Sequence, residues 1–164
     1  MRDGPALARF VLRARPAARI AAAGPLGVAP PVVACRSAVS ETVSALWLGP
    51  DEWLLLAPEA AGPALALALE AALEGLPHSL VDVGHRQVAL LLDGAAADIL
   101  NAGCPLDLDE SAFPVGMCTR TIFAKSEIVL WRTGQHSWHV EVWRSFAGYV
   151  RGLLAEAARE FEAV

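Results

Sequence analysis

The chain has 164 residues, 55% of them hydrophobic and 19% charged, with a formal net charge of −5; this is the make-up of one compact domain and excludes a disordered tail. Residues 1–30 hold five arginines against a single aspartate, so the rest of the chain is more acidic than the whole, which excludes a broad nucleic-acid surface built on clustered cations. Arg19, Asp51, Glu70, Asp82 and Asp93 interrupt every apolar run before it reaches the roughly 18 residues of a membrane span; the Ala-rich start, broken by Arg19, also lacks the continuous apolar middle of a secretory signal, so the expected location is the cytoplasm.

In chain order, residues 1–34 read as a basic Ala/Pro/Arg-rich arm or linker. The apolar spacing there is irregular, and Gly24-Pro-Leu-Gly-Val-Ala-Pro-Pro31 combines residues that remove donors with residues that add freedom. Such an arm is either poorly ordered or docked on something acidic. Residues 35–164 read as a single α+β domain. Val43–Gly49 and Trp53–Ala57 form a hairpin around Gly49-Pro50-Asp51-Glu52. Pro63 opens a helix whose Leu65, Leu69 and Leu73 share one face until Gly75 and Pro77.

Leu80–Val83 and Gln87–Leu92 follow as strands separated by Gly84-His85-Arg86, and a short helix spans Ala95–Ala102. Cys104–Gly116 has no period and reads as a loop, followed by strands at Cys118–Ala124 and Ile128–Arg132. His136–Trp143 alternates as a half-buried strand, with Trp138, Val140 and Val142 on one side. Ser145 is placed to cap a final helix carrying Phe146, Tyr149, Val150, Leu153, Leu154, Ala157 and Phe161 on its apolar face. Gly148 and Gly152 weaken that helix by about 1 kcal/mol each relative to Ala, which suggests a backbone packed closely against them. No internal repeat is evident. Mixed or antiparallel sheets packed with helices follow from this order.

Reactive groups are few. Asp82 and His85 with a thiol from Cys104 or Cys118 are the nearest approach to a nucleophile, base and orienter, but an Asp and a His beside a glycine bend are commonly turn residues. The three cysteines, Cys35 included, lack the spacing of a zinc or dithiol site and read as buried thiols. His136 and His139 would face opposite sides of one strand, and adding His78 and His85 gives no metal-ligand spacing. Neither a dinucleotide nor a nucleoside-triphosphate phosphate loop is present. Arg120, Arg132 and Arg144 suit either a bound anion or cross-strand pairs with Glu127 or Glu141. Mean hydropathy is +0.42, and five tryptophans, Trp47, Trp53, Trp131, Trp138 and Trp143, are hard to bury in one small core. Part of this apolar surface is expected to meet another protein.

Several stretches together carry a resemblance. Val83-Gly-His-Arg-Gln-Val-Ala89, Ala102-Gly-Cys-Pro-Leu-Asp-Leu108, Phe113-Pro-Val-Gly-Met-Cys-Thr-Arg-Thr121, Ile128-Val-Leu-Trp-Arg132, Val142-Trp-Arg-Ser-Phe-Ala147 and the Leu48-Gly-Pro-Asp-Glu-Trp-Leu54 turn resemble, in the same order, the gamma subunit of heterotetrameric sarcosine oxidase. That family is distantly similar to the folate-binding domain of the glycine-cleavage aminomethyltransferases, which implies the fold. The resemblance further implies alpha, beta and delta partner subunits, with FAD, FMN, NAD, tetrahydrofolate and zinc held by them and none by this chain. The implied reaction of the assembled enzyme converts sarcosine and oxygen into glycine, hydrogen peroxide and a one-carbon unit for tetrahydrofolate. No catalytic, cofactor or metal residue carries over. Trp53, Arg86, Arg120, Trp131, Trp143 and Arg144 fall in the matching stretches or beside them as interface or framework positions. A stand-alone folate or small-molecule binder of the aminomethyltransferase-like type is the alternative, and a thiol hydrolase is a third.

Overall fold

The computed structural model describes residues 1–162. Among the described residues, ten strands and four α-helices form two compact units, one of residues 5–85 and one of residues 1–4 with those from 86 onward. Each unit is built on a five-stranded sheet in which every neighbouring pair is antiparallel. The fold is therefore α+β, as expected, but a single domain from residue 35 onward does not describe it.

The first unit contains β2 (Leu7–Ala14), α1 (Pro16–Leu26), β3 (Ser37–Val39), β4 (Ser44–Gly49), β5 (Glu52–Pro58), α2 (Gly62–Leu73) and β6 (His78–Asp82), in sheet order β3-β4-β5-β2-β6. Period-two alternation sends Phe10, Leu12 and Ala14 of β2 and Trp53, Leu55 and Ala57 of β5 to one face, with Phe10 opposite Leu55 and Leu12 opposite Trp53 in the register. The three i+4 leucines of α2 and the small Ala18 and Ala22 of α1 close this core. Alanines on α1 let its backbone lie close to α2.

The second unit takes β1 (Arg2–Asp3) from the start of the chain and adds β7 (Gln87–Asp93), α3 (Ala96–Asn101), β8 (Cys118–Phe123), β9 (Ser126–Arg132), β10 (Ser137–Trp143) and α4 (Ala147–Glu162), in sheet order β1-β7-β10-β9-β8. Leu90 and Leu92, Trp138, Val140 and Val142, Ile128 and Leu130 line its core, covered by Val150 and Leu154 of α4 and Leu100 of α3.

Written side by side, the two units have the same plan: strand, helix, three-strand meander, helix. The first strand of each sits between the last meander strand and an extra edge strand, β6 in one and β1 in the other. This duplication escapes the sequence because only the topology repeats.

The largest correction concerns residues 1–34. They are not an arm: β2 lies between β5 and β6, and α1 is packed on α2. The prolines and glycines of residues 24–31 do not prevent a helix, because Pro25 sits in the last turn of α1 and Gly27, at φ +66°, ends it by donating to the Gly24 carbonyl. Nor do the arginines make a basic patch, since all but the exposed Arg15 are engaged. Arg9 is buried and donates to the Leu7 carbonyl, Arg13 pairs with Asp51 and Glu52, Arg19 donates to the Pro30 carbonyl, and Arg2 pairs with Asp93.

Two smaller differences lie near the end. Residues 144–146 form a 3-10 turn, so α4 starts at Ala147, beyond the expected Ser145 cap. Phe146, Tyr149 and Phe161, expected on the core face, are 45%, 42% and 43% exposed. A Cβ added at Gly148 or Gly152 meets no atom within 4 Å among the described residues, so the close backbone expected there is not seen. No described helix is long and apolar enough to cross a membrane.

Candidate functional site

The groups considered for chemistry are held in structural tasks. Asp82 accepts the Gly84 amide at 2.8 Å, closing the turn after β6, with His85 exposed beside it. Cys104 and Cys118, which belong to the second unit, are buried, and the Cys104 thiol lies 4.0 Å from the Thr121 hydroxyl. His78 approaches Glu70 at 3.4 Å, and His136 is exposed. Among the described residues no three His, Cys, Asp or Glu side chains gather as a metal site.

The second unit holds the more informative polar groups. Arg132 is 5% exposed and directs its guanidinium to the carbonyls of Phe113 at 2.8 Å and Gln135 at 2.6 Å, while its charge lies 5.1 Å over the Trp138 ring. Trp138 in turn packs on Phe113, ring centroids 5.1 Å apart. Arg132 is thus the clamp that fixes the loop of residues 102–117, which would otherwise bury its carbonyls without donors. A groove of about 490 Å³ beside it is lined by Ala95, Asp98, His136 and Trp138, but its buried cation is already committed to those carbonyls.

On the opposite face of β10, His139 and Glu141 are also buried and meet at 2.7 Å, with Trp131 beside the imidazole at 5.7 Å between centroids. The half-buried strand expected here is therefore buried on both faces up to Trp143. At the edge, Asp3 and Arg151 form an ion pair that holds the Asp3 carboxyl below the ordinary aspartate range and raises the Arg151 guanidinium. Asp93 is also held low, first by the Ser137 hydroxyl and then by Arg2.

The six interface or framework positions separate by burial. Trp53 is 1% exposed and donates its indole N–H to the Pro31 carbonyl at 2.8 Å. Trp131 is half-buried and Arg120 exposed on the sheet of the second unit. Arg86, Trp143 and Arg144 come together: the Arg86 guanidinium lies 4.9 Å over the Trp143 ring, and the Arg144 amide donates to the Arg86 carbonyl at 2.8 Å. Arg86 Nε and the neighbouring Gln87 Oε1 are buried without a hydrogen-bond partner among the described residues. Sequence reading missed the buried His139–Glu141 pair, since alternation alone assigned that face to solvent.

The stretches at 102–108 and 113–121 that carry the resemblance are accounted for by packing. Gly103 leaves only 2.7 Å between a would-be Cβ and the Phe123 ring, Gly116 sits at φ +83°, and Phe113, Leu108 and Cys118 are buried. Residues 12–160 match the sarcosine oxidase, gamma subunit family. The chain belongs to that family. A sarcosine oxidase subunit gamma from Corynebacterium sp. (strain P-1) is 40% identical over 122 residues, covering 74% of this chain and 59% of that protein, so the chain spans about three fifths of that relative's length. Among solved structures, a chain of the heterotetrameric sarcosine oxidase from Corynebacterium sp. U-96, in complex with pyrrole 2-carboxylate, superposes with a TM-score of 0.93 at 35% identity, covering 99% of this chain and 85% of that one. The glycine cleavage system aminomethyltransferase T from Bartonella henselae gives a TM-score of 0.70 at 15% identity over 93% of this chain and 44% of its own. At that identity the likeness concerns the fold alone, and it places this gamma-family chain in the architecture expected for it.

Proposed function

We infer that this chain is a non-catalytic gamma subunit that supports assembly of a flavin-containing sarcosine oxidase from alpha, beta and delta partners. The complex would demethylate sarcosine oxidatively to glycine with oxygen, releasing hydrogen peroxide and passing a one-carbon unit to tetrahydrofolate. FAD, FMN, NAD, tetrahydrofolate and zinc would reside in the partner subunits, in the cytoplasm. The observation that carries this reading is the superposition over nearly the whole chain on a chain of a heterotetrameric sarcosine oxidase. The packing roles of the groups considered for catalysis agree with it: the thiols are buried, Asp82 closes a turn and Arg132 clamps a loop.

The test is co-expression. The tagged chain produced with the alpha, beta and delta subunits should bring them down as one species with sarcosine-dependent peroxide formation, and omission of this chain should leave the others unassembled. The chain alone should be poorly soluble. A soluble monomer that ignores the other subunits would overturn the reading. Tetrahydrofolate binding at micromolar affinity by that monomer would favour the stand-alone binder instead.

A further inference from the structure

The register of the second unit's sheet gathers one set of residues at one end of it. Val142 pairs with Ile128, which pairs with Thr121, so the end of β10, the β8–β9 turn and the start of β7 lie at the same end of the sheet. Ile122 and Trp143 are exposed there, at 48% and 38%. The chain then leaves β10 directly through Arg144 to Phe146 and Tyr149, the exposed aromatics of the turn into α4. Large apolar side chains concentrated in this way normally mark an interface.

The charge at this end is opposite to that of the molecule. Arg86, Lys125 and Arg144 stand there with Glu127 as the acidic residue of the strand ends, in a chain of formal net charge −5. Lys125 and Arg144 are exposed and have no carboxylate partner among the described residues. Arg86 is already seated on the Trp143 ring, and its buried Nε has no hydrogen-bond acceptor among the described residues. A guanidinium stacked on an aromatic ring is held in place for a carboxylate, at lower entropy cost than a freely moving one.

We propose that this end of the sheet, formed by Arg86, Ile122, Lys125, Trp143, Arg144 and the turn into α4, docks an acidic segment of a partner subunit. The proposal rests on the reading of this chain as a subunit. Carboxylates of that segment meet Arg86, Lys125 and Arg144, and its apolar side chains cover Trp143, Phe146 and Tyr149. The open space over Gly148 and Gly152 admits the partner's backbone to the first turns of α4.

The experiment is capture of the alpha, beta and delta subunits by the tagged full chain in co-expression, comparing wild type with Lys125→Glu/Arg144→Glu and with Arg15→Glu, an exposed arginine of the first unit. The expected result is at least about tenfold weaker capture for the double reversal, with unchanged circular dichroism and thermal midpoint. Arg15→Glu should match wild type, and Lys125→Arg/Arg144→Lys should retain capture. Wild-type capture should weaken as sodium chloride shortens the Debye length from about 10 Å to about 3 Å. Undiminished capture by the double reversal, an equal loss with Arg15→Glu, or self-association of this chain through the same residues overturns the proposal while leaving the subunit reading intact. If wild type captures no subunit, both fall.

Discussion

The two units of this protein run the same topology on different chemistry. In both, the last strand of the meander has the same burial profile, partly covered at its first residue, buried for five and exposed at the last. In both, the second residue is a tryptophan 1% exposed, Trp53 in β5 and Trp138 in β10. Each fastens the long loop that follows the unit's first helix: Trp53 through a hydrogen bond to Pro31, Trp138 through Phe113 and the Arg132 clamp. The faces away from these cores differ. β5 places Leu54 and Leu56 there, whereas β10 places His139 and Glu141. The lesson is that a fold plan constrains where a large anchor sits more tightly than it constrains the polarity of the second face.

The strongest way to break the comparison is to remove the anchors. Trp53→Ala and Trp138→Ala should each cost about 3–5 kcal/mol, measured as a shift of the urea midpoint at constant slope; if one is nearly neutral, the two tryptophans are not equivalent. Next in size is the polar face. Glu141→Leu should destabilise by about 3 kcal/mol, because it leaves a buried hydrogen-bonding partner unsatisfied. The paired change with His139→Leu, which makes the strand resemble β5, should recover part of the loss in a double-mutant cycle.

The smallest effect concerns the edge strand. Asp3 and Asp93 have folded pKa values held below the ordinary aspartate value. Their contribution is therefore complete above the unfolded pKa and disappears as pH falls through the lowered folded values. Amide-exchange protection of β1 should fade in that acid window before the central strands respond, and Asp3→Asn should abolish the Arg151-linked part of the fading. Because both pairs are exposed, added salt should mute the effect.

Much of this was readable from the chain. The hairpin at Gly49–Glu52, the leucine face of α2, the bend at Gly84 and the strands of the second unit follow from turn residues and periodicity. Residues 1–34 read as an arm because local composition alone carries no trace of the distant strands and helix that order them. Alanine and proline there are answers to close helix packing and a helix end, and such answers appear only once α2 is in place. The buried His139–Glu141 pair was equally hidden, since polar residues at alternate positions look solvent-facing until both faces of the strand are known to be covered. The residues of the proposed docking end are traceable in part: Arg86, Trp143 and Arg144 are marked by their stretches, whereas Lys125 and Ile122 join them only through the register.

The placement of β1 has a consequence for the order of folding. Arg2 pairs with Leu91, so β1 can join its sheet only through a long-range closure onto β7, a slower event than the local hairpins of either unit. Until then β1 is an unpaired strand, and the edge of β7 that it covers stays open to any other strand that can match it.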